Sequence, residues 1–339
     1  MDELRLRGVP RICLVSAALV VALTAGACGH DSQGDPTIPT QPTAPTPAQP
    51  TAGPTTPPPA VPAVLVGAGD IALCGPDLAN AEATARLLDG ISGTVFTTGD
   101  NTQTAGTPEE FRDCYEPTWG RHKARTRPTM GNHDFQTANG DAYYQYFGDA
   151  AGPAGLGYYS YNLGAWHIVA LNGNVSMREG SAQAAWLRQD LQANPTACTV
   201  AYWHQPLFSS STNGNNAASR DAWQILYEYG AEIVMNGHDH LFERFAPQDP
   251  SGRRDEARGI RQFTVGTGGC YLYNVVHLQP NSEVQGSAHG VLKLTLKEGS
   301  YDWQFVPVAG DSFTDSGSGT CHAGASGPAA RQGLGVNWR

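Results

Sequence analysis

The sequence predicts a layered α/β domain that follows a proline-rich N-terminal segment. Between residues 63 and 240, short apolar runs typical of buried strands alternate with amphipathic stretches typical of helices. Two later apolar stretches have no helix between them and indicate antiparallel strands, so the predicted sheet is mixed. Eleven of the 24 prolines lie between residues 36 and 62, which leaves about 250 of the 339 residues for one large domain.

The predicted elements follow from the spacing of apolar residues. Strands are predicted where apolar residues run together and then give way to polar ones: Val64–Gly69, Gly93–Thr98, Thr196–Tyr202 and Glu232–Met235. Helices are predicted where apolar residues recur three and four positions apart: Leu78–Leu88, Ser181–Leu191 and Ala217–Tyr229. The predicted antiparallel strands lie in Ile260–Gly268 and Gly290–Val308. In such folds, ligands bind beyond the carboxyl ends of the strands.

Residues 1–27 have the composition of an export signal. Arg5, Arg7 and Arg11 precede an apolar run of about 14 residues, which is short for a membrane-spanning helix. Small residues then precede Cys28, a pattern that predicts cleavage before this cysteine and its acylation as a lipid anchor. An ordinary signal peptidase would cut at the same place, so simple secretion is the alternative. Both interpretations place the mature chain outside the cytoplasm.

The segments on either side of the domain have compositions that do not favour packing. Residues 28–61 are rich in Thr, Pro and Ala and carry no charge after Asp35, which predicts an extended, disordered linker. The folded domain is predicted over residues 62–309, and residues 310–339, rich in Gly and Ser, are predicted to form a loose tail. The net charge of −10 offers no basic surface for a nucleic-acid backbone, so no nucleic-acid partner is expected.

Five of the seven cysteines remain once Cys13 is assigned to the signal and Cys28 to the lipid anchor. An odd number in an oxidising compartment predicts disulfides and one free thiol. We expect the pairs Cys74–Cys114 and Cys270–Cys321, with Cys198 left as a buried thiol. No two cysteines have CxxC spacing, so a zinc knuckle or a thioredoxin-like site is not predicted.

Five blocks of polar residues, four of them directly after predicted strands, contain the candidate metal ligands. Taken singly, each block is more typical of a turn, a helix cap or a polar loop. Together they supply two Asp, one Asn and three His, and oxygen donors mixed with imidazole suit Mn, Fe or Zn. The six candidate ligands are Asp70, Asp100, Asn132, His204, His238 and His240.

These blocks resemble those of the calcineurin-like metallophosphoesterase superfamily, and most closely those of its purple acid phosphatase branch. The residues that carry the resemblance are Gly69-Asp70, Gly99-Asp100-Asn101, Gly131-Asn132-His133-Asp134, Trp203-His204-Gln205-Pro206 and Gly237-His238-Asp239-His240. The resemblance extends from about Val64 to Val308. It implies a β-sandwich of mixed sheets flanked by helices, a four-layer αββα fold.

The resemblance also implies two metal ions, with Asp100 as the bridge between them. The other ligands would divide into a pair for the first ion and a trio for the second: Asp70 and His240, and Asn132, His204 and His238. A metal-bound hydroxide would attack phosphorus, and His133 would donate a proton to the leaving oxygen.

One departure from the purple acid phosphatase pattern affects the first metal. Those enzymes place a tyrosinate ligand three residues after the bridging aspartate, and this chain has Gln103 there. The first metal would then use the amide oxygen of Gln103 or water. A neutral donor favours divalent Fe, Mn or Zn over a trivalent ion.

The resemblance therefore implies a hydrolase of small phosphate monoesters. The N-terminal signal predicts that this hydrolase is exported and contacts membranes only through Cys28. Two alternatives remain open. The first is a phosphodiesterase or nucleotidase of the same superfamily. The second is a degenerate, non-catalytic binding protein of the envelope; the missing tyrosine favours it, whereas the six ligands and His133 favour an enzyme. The sequence leaves the oligomeric state open.

Overall fold

The computed structural model describes residues 61–196 and 198–322. The predicted signal and nearly all of the predicted linker lie outside the described residues, as do residues 323–339 of the predicted tail. No helix in the described part is both long enough and apolar enough to cross a membrane.

Up to residue 236, strands and helices alternate as predicted apart from one hairpin, and between residues 242 and 320 only strands follow one another. The strands are β1 (Ala63–Ala68), β2 (Thr94–Thr98), β3 (Thr126–Thr129), β4 (Tyr159–Leu163), β5 (Trp166–Ala170), β6 (Thr199–Tyr202), β7 (Ile233–Asn236), β8 (Phe242–Phe245), β9 (Arg261–Val265), β10 (Ser282–Gly286), β11 (Gly290–Lys297), β12 (Ser300–Pro307) and β13 (Ser316–Thr320). The helices are α1 (Leu78–Gly90), α2 (Pro108–Glu110), α3 (Asn132–Gln136), α4 (Asp141–Phe147), α5 (Ala182–Ala193) and α6 (Arg220–Glu228).

The strands form two mixed sheets. The first has six strands in the order β13-β12-β11-β1-β2-β3, and the second has seven in the order β10-β8-β9-β7-β6-β5-β4. Within the first sheet β1, β2 and β3 are parallel, and within the second β5, β6, β7 and β9 are parallel. The carboxyl ends of each parallel set therefore lie at one edge of its sheet, which is where polar side chains can converge.

One core lies between the sheets and a second lies under the helices of the second sheet. Leu65 and Leu294 of the first sheet share the central core with Ile168 and Met235 of the second. Outside the second sheet, α5 and α6 bury Leu187 and other apolar side chains in the second core. Helix α1 packs on the first sheet near β11. The predicted β-sandwich flanked by helices is confirmed.

The direction of β9 differs from the prediction. This strand pairs antiparallel with β8 but parallel with β7, whereas the sequence predicted only antiparallel strands in this region. The loop between β8 and β9 reverses the chain, so β9 runs in the same direction as β7. The prediction for residues 290–308 is confirmed, because β11 and β12 form an antiparallel pair.

The fold extends beyond residue 309 into the predicted tail. Strand β13 pairs antiparallel with β12, although its sequence is only Ser, Gly and Thr. Aromatic rings cover its glycines: a Cβ on Gly317 would lie 2.3 Å from Trp303, and one on Gly319 would lie 2.4 Å from Tyr301. The glycines are therefore required by packing, and residues 310–322 belong to the domain.

The disulfides confirm one predicted pair and correct the other. Cys74 and Cys114 are bonded as expected, but Cys321 is bonded to Cys198, with 5.4 Å between their Cα atoms. Cys270 is the buried free thiol, so the predicted Cys270–Cys321 pair is wrong. The reason is position: Cys198 lies at the amino end of β6, whereas Cys270 follows the carboxyl end of β9, at the opposite edge of the same sheet.

Candidate metal centre

The six predicted ligands lie at the carboxyl ends of parallel strands from both sheets. Each follows its strand by two to four residues: Asp70 follows β1, Asp100 follows β2, Asn132 follows β3, His204 follows β6, and His238 and His240 follow β7. Because each set of parallel strands ends at one edge, six residues that are distant in sequence come together.

Three of these residues have a backbone conformation that non-glycine residues seldom adopt. The φ angles of Asp70, Asp100 and His238 are 57°, 47° and 70°. Hydrogen bonds hold this geometry, since Asp70 N–H donates to Gly99 O at 3.0 Å and His238 N–H donates to Asp70 Oδ2 at 2.9 Å. Strained backbone of this kind is concentrated at functional sites.

The donor atoms of the proposed second-metal set meet around His204 Nε2. This nitrogen lies 3.0 Å from Asn132 Oδ1, 3.1 Å from Asp100 Oδ2 and 3.3 Å from His238 Nδ1. Around a tetrahedral ion with ligand distances of about 2.0–2.1 Å, donor atoms lie about 3.4 Å apart. The separations therefore match those between ligands of one metal ion.

The donor atoms of the proposed first-metal set lie beside this group. His240 Nε2 is 3.3 Å from Asp70 Oδ1. Asp70, Asp100 and His204 each offer a ligand atom, and these three atoms lie within 4.8 Å of one another. Asp100 is thus near members of both sets, as a bridging ligand must be.

The hydrogen bonds of two histidines leave their Nε2 atoms free for a metal. His204 Nδ1 lies 2.8 Å from Thr98 O, and His240 Nδ1 lies 2.7 Å from Tyr271 O. A carbonyl oxygen only accepts, so each Nδ1 carries the proton and the Nε2 lone pair of the neutral ring faces the site. Hydrogen bonding through the second ring nitrogen is typical of metal-binding histidines.

Two buried oxygens without hydrogen-bond partners also indicate that the site binds metal ions. Asp70 Oδ1 and Gln103 Oε1 are buried and accept no hydrogen bond. The Gln103 side chain is beside the first-metal set, with its Nε2 atom 3.3 Å from His240 Nε2. Buried polar atoms normally have partners, and metal cations would satisfy both oxygens. The residues present therefore fit a pair of metal ions.

The electrostatics of the site favour positive charge. Burial lowers the pKa of His204, but the charge and hydrogen bond of Asp100, the charge of Asp70 and the Thr98 carbonyl together outweigh it and raise that pKa to about 9. In the same way, burial lowers the pKa of His240, and Asp70 together with Cys270 outweighs burial and raises that pKa to about 11. A metal ion binds only the neutral form of imidazole. Metal binding at these two histidines would therefore release their protons.

His133 lies at the rim of the centre. Its N–H donates to Asp100 Oδ1 at 2.8 Å, and its Nδ1 lies 2.9 Å from Thr104 O. Its Nε2 is 3.9 Å from Asp100 Oδ2, and about a third of the side chain is exposed. The ring is thus near the candidate ligands but accessible from solvent.

Asp134 has a structural role that the sequence analysis did not assign to it. This buried carboxylate accepts hydrogen bonds from the backbone N–H groups of Asn101, Thr102 and Gly131. Burial and the negative charge of Asp100 raise its pKa to about 6. It joins the loop after β2 to the loop after β3, which carry Asp100 and Asn132.

Two tyrosines that the sequence analysis did not identify lie against His240. The ring of Tyr273 stacks on the imidazole with a centroid distance of 4.1 Å, and the ring of Tyr271 lies at 5.1 Å. Both residues follow the carboxyl end of β9. They lie six and eight residues beyond this strand, farther than the metal ligands lie from theirs, so the strand-end pattern did not identify them.

Residues 65–242 match the family model of the calcineurin-like phosphoesterases. This match covers more than half of the chain, and the chain therefore belongs to that family, whose enzymes are metal-dependent hydrolases of phosphoric esters.

Within the family, the chain is similar to purple acid phosphatases. Purple acid phosphatase 15 of Arabidopsis thaliana is 32% identical over 156 residues, which are 40% of this chain and 29% of the relative. Purple acid phosphatase 23 of the same plant is 31% identical over 156 residues, which are 40% of this chain and 34% of the relative. The match thus spans about a third of the length of these relatives.

Solved structures share the fold. A purple acid phosphatase from yellow lupin (Lupinus luteus) seeds has a TM-score of 0.63 at 18% identity, over 76% of this chain and 54% of that chain. The anchor protein of the inner membrane complex of Plasmodium has a TM-score of 0.59 at 13% identity, over 77% of this chain and 89% of that chain.

Proposed function

We propose that this chain is a binuclear-metal phosphoesterase that hydrolyses small phosphate monoesters. The observation that carries the proposal is the convergence of six candidate ligands into two adjacent sets, with Asp100 near both. The similarity to purple acid phosphatases supports a monoester as the substrate.

Residues of this chain would hold the metal ions and orient the proton donor. Bound metal ions lower the pKa of water and offset the negative charge of a phosphoryl group. Asp100 would fix the separation of the two sets, and Asp134 would hold the loops that carry Asp100 and Asn132. The Nδ1 of His133 contacts Thr104 O and the side-chain amide of Gln136, which leaves Nε2 as the free ring nitrogen. When this Nε2 carries a proton, it would donate that proton to the leaving oxygen.

The environment of Gln103 supports divalent ions. Its amide oxygen is a neutral donor without a hydrogen-bond partner, and its amide nitrogen lies 3.3 Å from His240 Nε2. Gln103 stands at the position of the tyrosinate ligand in the purple acid phosphatase pattern. We propose Fe, Mn or Zn in the divalent state at both sites, since carboxylate, amide and imidazole ligands suit these metals.

The assay that tests the function compares a monoester with a diester. The full chain would be stripped with a chelator, reloaded with Mn, Zn or Fe, and given p-nitrophenyl phosphate or bis-p-nitrophenyl phosphate. We expect metal to restore hydrolysis of the monoester, with a higher kcat/KM than for the diester. A higher kcat/KM for the diester would favour a phosphodiesterase or nucleotidase. Two bound ions without hydrolysis of either ester would favour a binding protein.

We also propose export and a lipid anchor at Cys28. The two disulfides among the described residues support an oxidising compartment. The native protein should then sediment with membranes, and Cys28→Ala should become soluble or remain unprocessed. Mature native protein that is wholly soluble and begins with an unmodified Cys28 would contradict the lipid anchor. Ordinary secretion would then be the remaining explanation.

A further inference from the structure

The segment Tyr271–Leu278 exposes an apolar surface next to the metal centre. Six large hydrophobic side chains are exposed among the described residues, and four of them lie here: Tyr271 (52% exposed), Val275 (40%), Val276 (58%) and Leu278 (58%). Single exposed apolar residues are ordinary, but a cluster of them marks a binding site. We call these four side chains the apolar rim.

The apolar rim reaches the metal centre through Tyr271. Tyr273, within the same segment, stacks on His240, and its N–H donates to His240 O at 2.7 Å. Tyr271 contributes its ring to the rim and its carbonyl oxygen to His240 Nδ1. A molecule with its phosphoryl group at the centre can therefore place an attached organic group on the rim.

The backbone of the segment is fixed although its side chains are exposed. The N–H groups of Val276 and His277 donate to Ser210 O at 2.9 and 3.1 Å, and Gln279 N–H donates to Ser210 Oγ at 2.9 Å. Ser210 is held in turn by the buried Glu243, which accepts its N–H at 3.0 Å. A surface that is ordered before binding loses little conformational entropy when a ligand binds.

The charge of the region restricts what can bind there. Residues 262–292 contain no Lys or Arg, and their one acidic residue is Glu283. Extra phosphates of a nucleotide, or an anionic membrane surface, would find no cationic partner in this stretch. An uncharged apolar group is the ligand that the rim fits.

From these observations we propose that the apolar rim binds the organic group of the phosphate ester, so that aryl and alkyl phosphates are the preferred substrates. The inference rests on the proposed phosphoesterase function and names the substrate class of the same site. The rim would act by removing apolar surface of the substrate from water, which stabilises the complex in proportion to the area covered.

The test is a comparison of two monoesters in matched variants of the full chain. The kcat/KM for 2-naphthyl phosphate is divided by that for O-phosphoserine, so that effects on the common chemical step cancel between variants. The double variant Val276→Ser/Leu278→Ser should lower this ratio about tenfold, the discrimination that a few methylene contacts supply. Val276→Ile/Leu278→Met, which keeps the apolar surface, should retain the wild-type ratio.

A matched control lies outside the segment. Leu156 is a leucine that is 42% exposed in another loop, and Leu156→Ser should leave the ratio unchanged. An unchanged ratio in the Val276→Ser/Leu278→Ser protein would overturn the inference. If that protein instead lost wild-type cosedimentation with phosphatidylcholine vesicles while keeping the ratio, the rim would be a lipid-binding surface and the inference would be wrong.

Failure of the proposed function would be recognised separately. If the wild-type protein held two metal ions but hydrolysed neither ester, calorimetry with 1-naphthyl phosphonate and methyl phosphonate would test the rim directly. The same roughly tenfold preference for the naphthyl ligand, lost in the serine variant, would support the inference. Equal affinities for the two phosphonates would overturn it.

Discussion

At the scale of the residue, Asp100 combines burial, an unusual backbone and contacts with several functional groups. The residue is 1% exposed and its φ is 47°. Burial would raise the pKa of this carboxyl, but His204 and His133 outweigh that effect and lower it, so the carboxylate form is favoured. One oxygen faces His204 and the other accepts the N–H of His133, so a change at Asp100 affects both the ligands and the proton donor.

Substitution of Asp100 should therefore lower both metal content and turnover, whereas substitution of His133 should lower turnover alone. Asp100→Ala deletes a ligand that lies near both sets, and we expect nearly complete loss of turnover together with reduced metal content. His133→Ala should keep its metal and lose about 10²- to 10⁴-fold in kcat, the usual contribution of a general acid. Turnover and elemental analysis of the two proteins check this. An Asp100→Ala enzyme with normal turnover and both ions would contradict the bridging role.

The identity of residue 103 should decide the colour of the protein. With glutamine there and no tyrosinate ligand, we expect a colourless protein whose first metal is stripped by a chelator before the second. Gln103→Tyr in iron-loaded protein should introduce a visible tyrosinate–iron absorption band. Spectra and metal analysis of protein purified without added metal check the first expectation. A visible band in the unmodified protein would mean that another tyrosine, such as Tyr271 or Tyr273, reaches the iron.

At the scale of the element, the loops after β2 and β3 approach each other so closely that only glycine fits between them. A Cβ on Gly131 would lie 2.0 Å from Asp100 Oδ1 and 2.1 Å from Asp100 N. Real contacts of this kind exceed 3.0 Å, so the loops could not keep their positions. The proximity of Asp100 to Asn132 thus depends on a residue that is not itself a ligand.

Gly131→Ala should disrupt the site through this contact. We expect loss of metal affinity and activity, and a decrease in the free energy of unfolding of about 1–3 kcal/mol, as for other overpacked positions. Gly90→Ala is the matched control, because a Cβ there would have no neighbour within 4 Å at the end of α1. It should be neutral or slightly stabilising. Metal titration and urea unfolding measure both effects, and a Gly131→Ala protein with wild-type metal affinity would refute the steric argument.

At the scale of the whole molecule, the C-terminal segment is fastened to the second sheet at the edge opposite the metal centre. The disulfide Cys198–Cys321 joins the end of β13 to the start of β6. Beside it, the buried Glu232 accepts the N–H of Thr199 at 2.7 Å and that of His322 at 2.9 Å. One strand of the first sheet is therefore tied covalently to the second sheet.

Removal of this disulfide should cost stability without removing the metal ligands. We expect Cys198→Ser/Cys321→Ser to lower the free energy of unfolding by about 2–5 kcal/mol and to keep its metal content. Cys74→Ser/Cys114→Ser is the comparison, since it opens a separation of 40 residues rather than 123 and should cost about 1 kcal/mol less. Denaturant unfolding under chelation measures both. An unchanged stability of the first variant would show that β13 is held by its strand pairing alone.

The sequence by itself determined the strand-end pattern and, through it, the candidate ligands. Apolar runs that end in polar blocks are local features, and parallel strands place such ends at a common edge, so Asp70, Asp100 and His204 could be grouped before any distance was known. The resemblance to purple acid phosphatases also pointed to Gln103, three residues after Asp100, and its amide nitrogen lies 3.3 Å from His240 Nε2.

The tertiary structure alone decided the features that depend on contacts between distant parts of the chain. Cys321 bonds to Cys198 rather than Cys270 because the sheet places the last two at opposite edges, which no spacing along the chain reveals. Strand β13 has the composition of a loop and forms a strand because Trp303 and Tyr301 cover its glycines. The apolar rim likewise lies beside His240 because Ser210 and Glu243 hold its segment there, and these bonds join residues that are far apart in sequence.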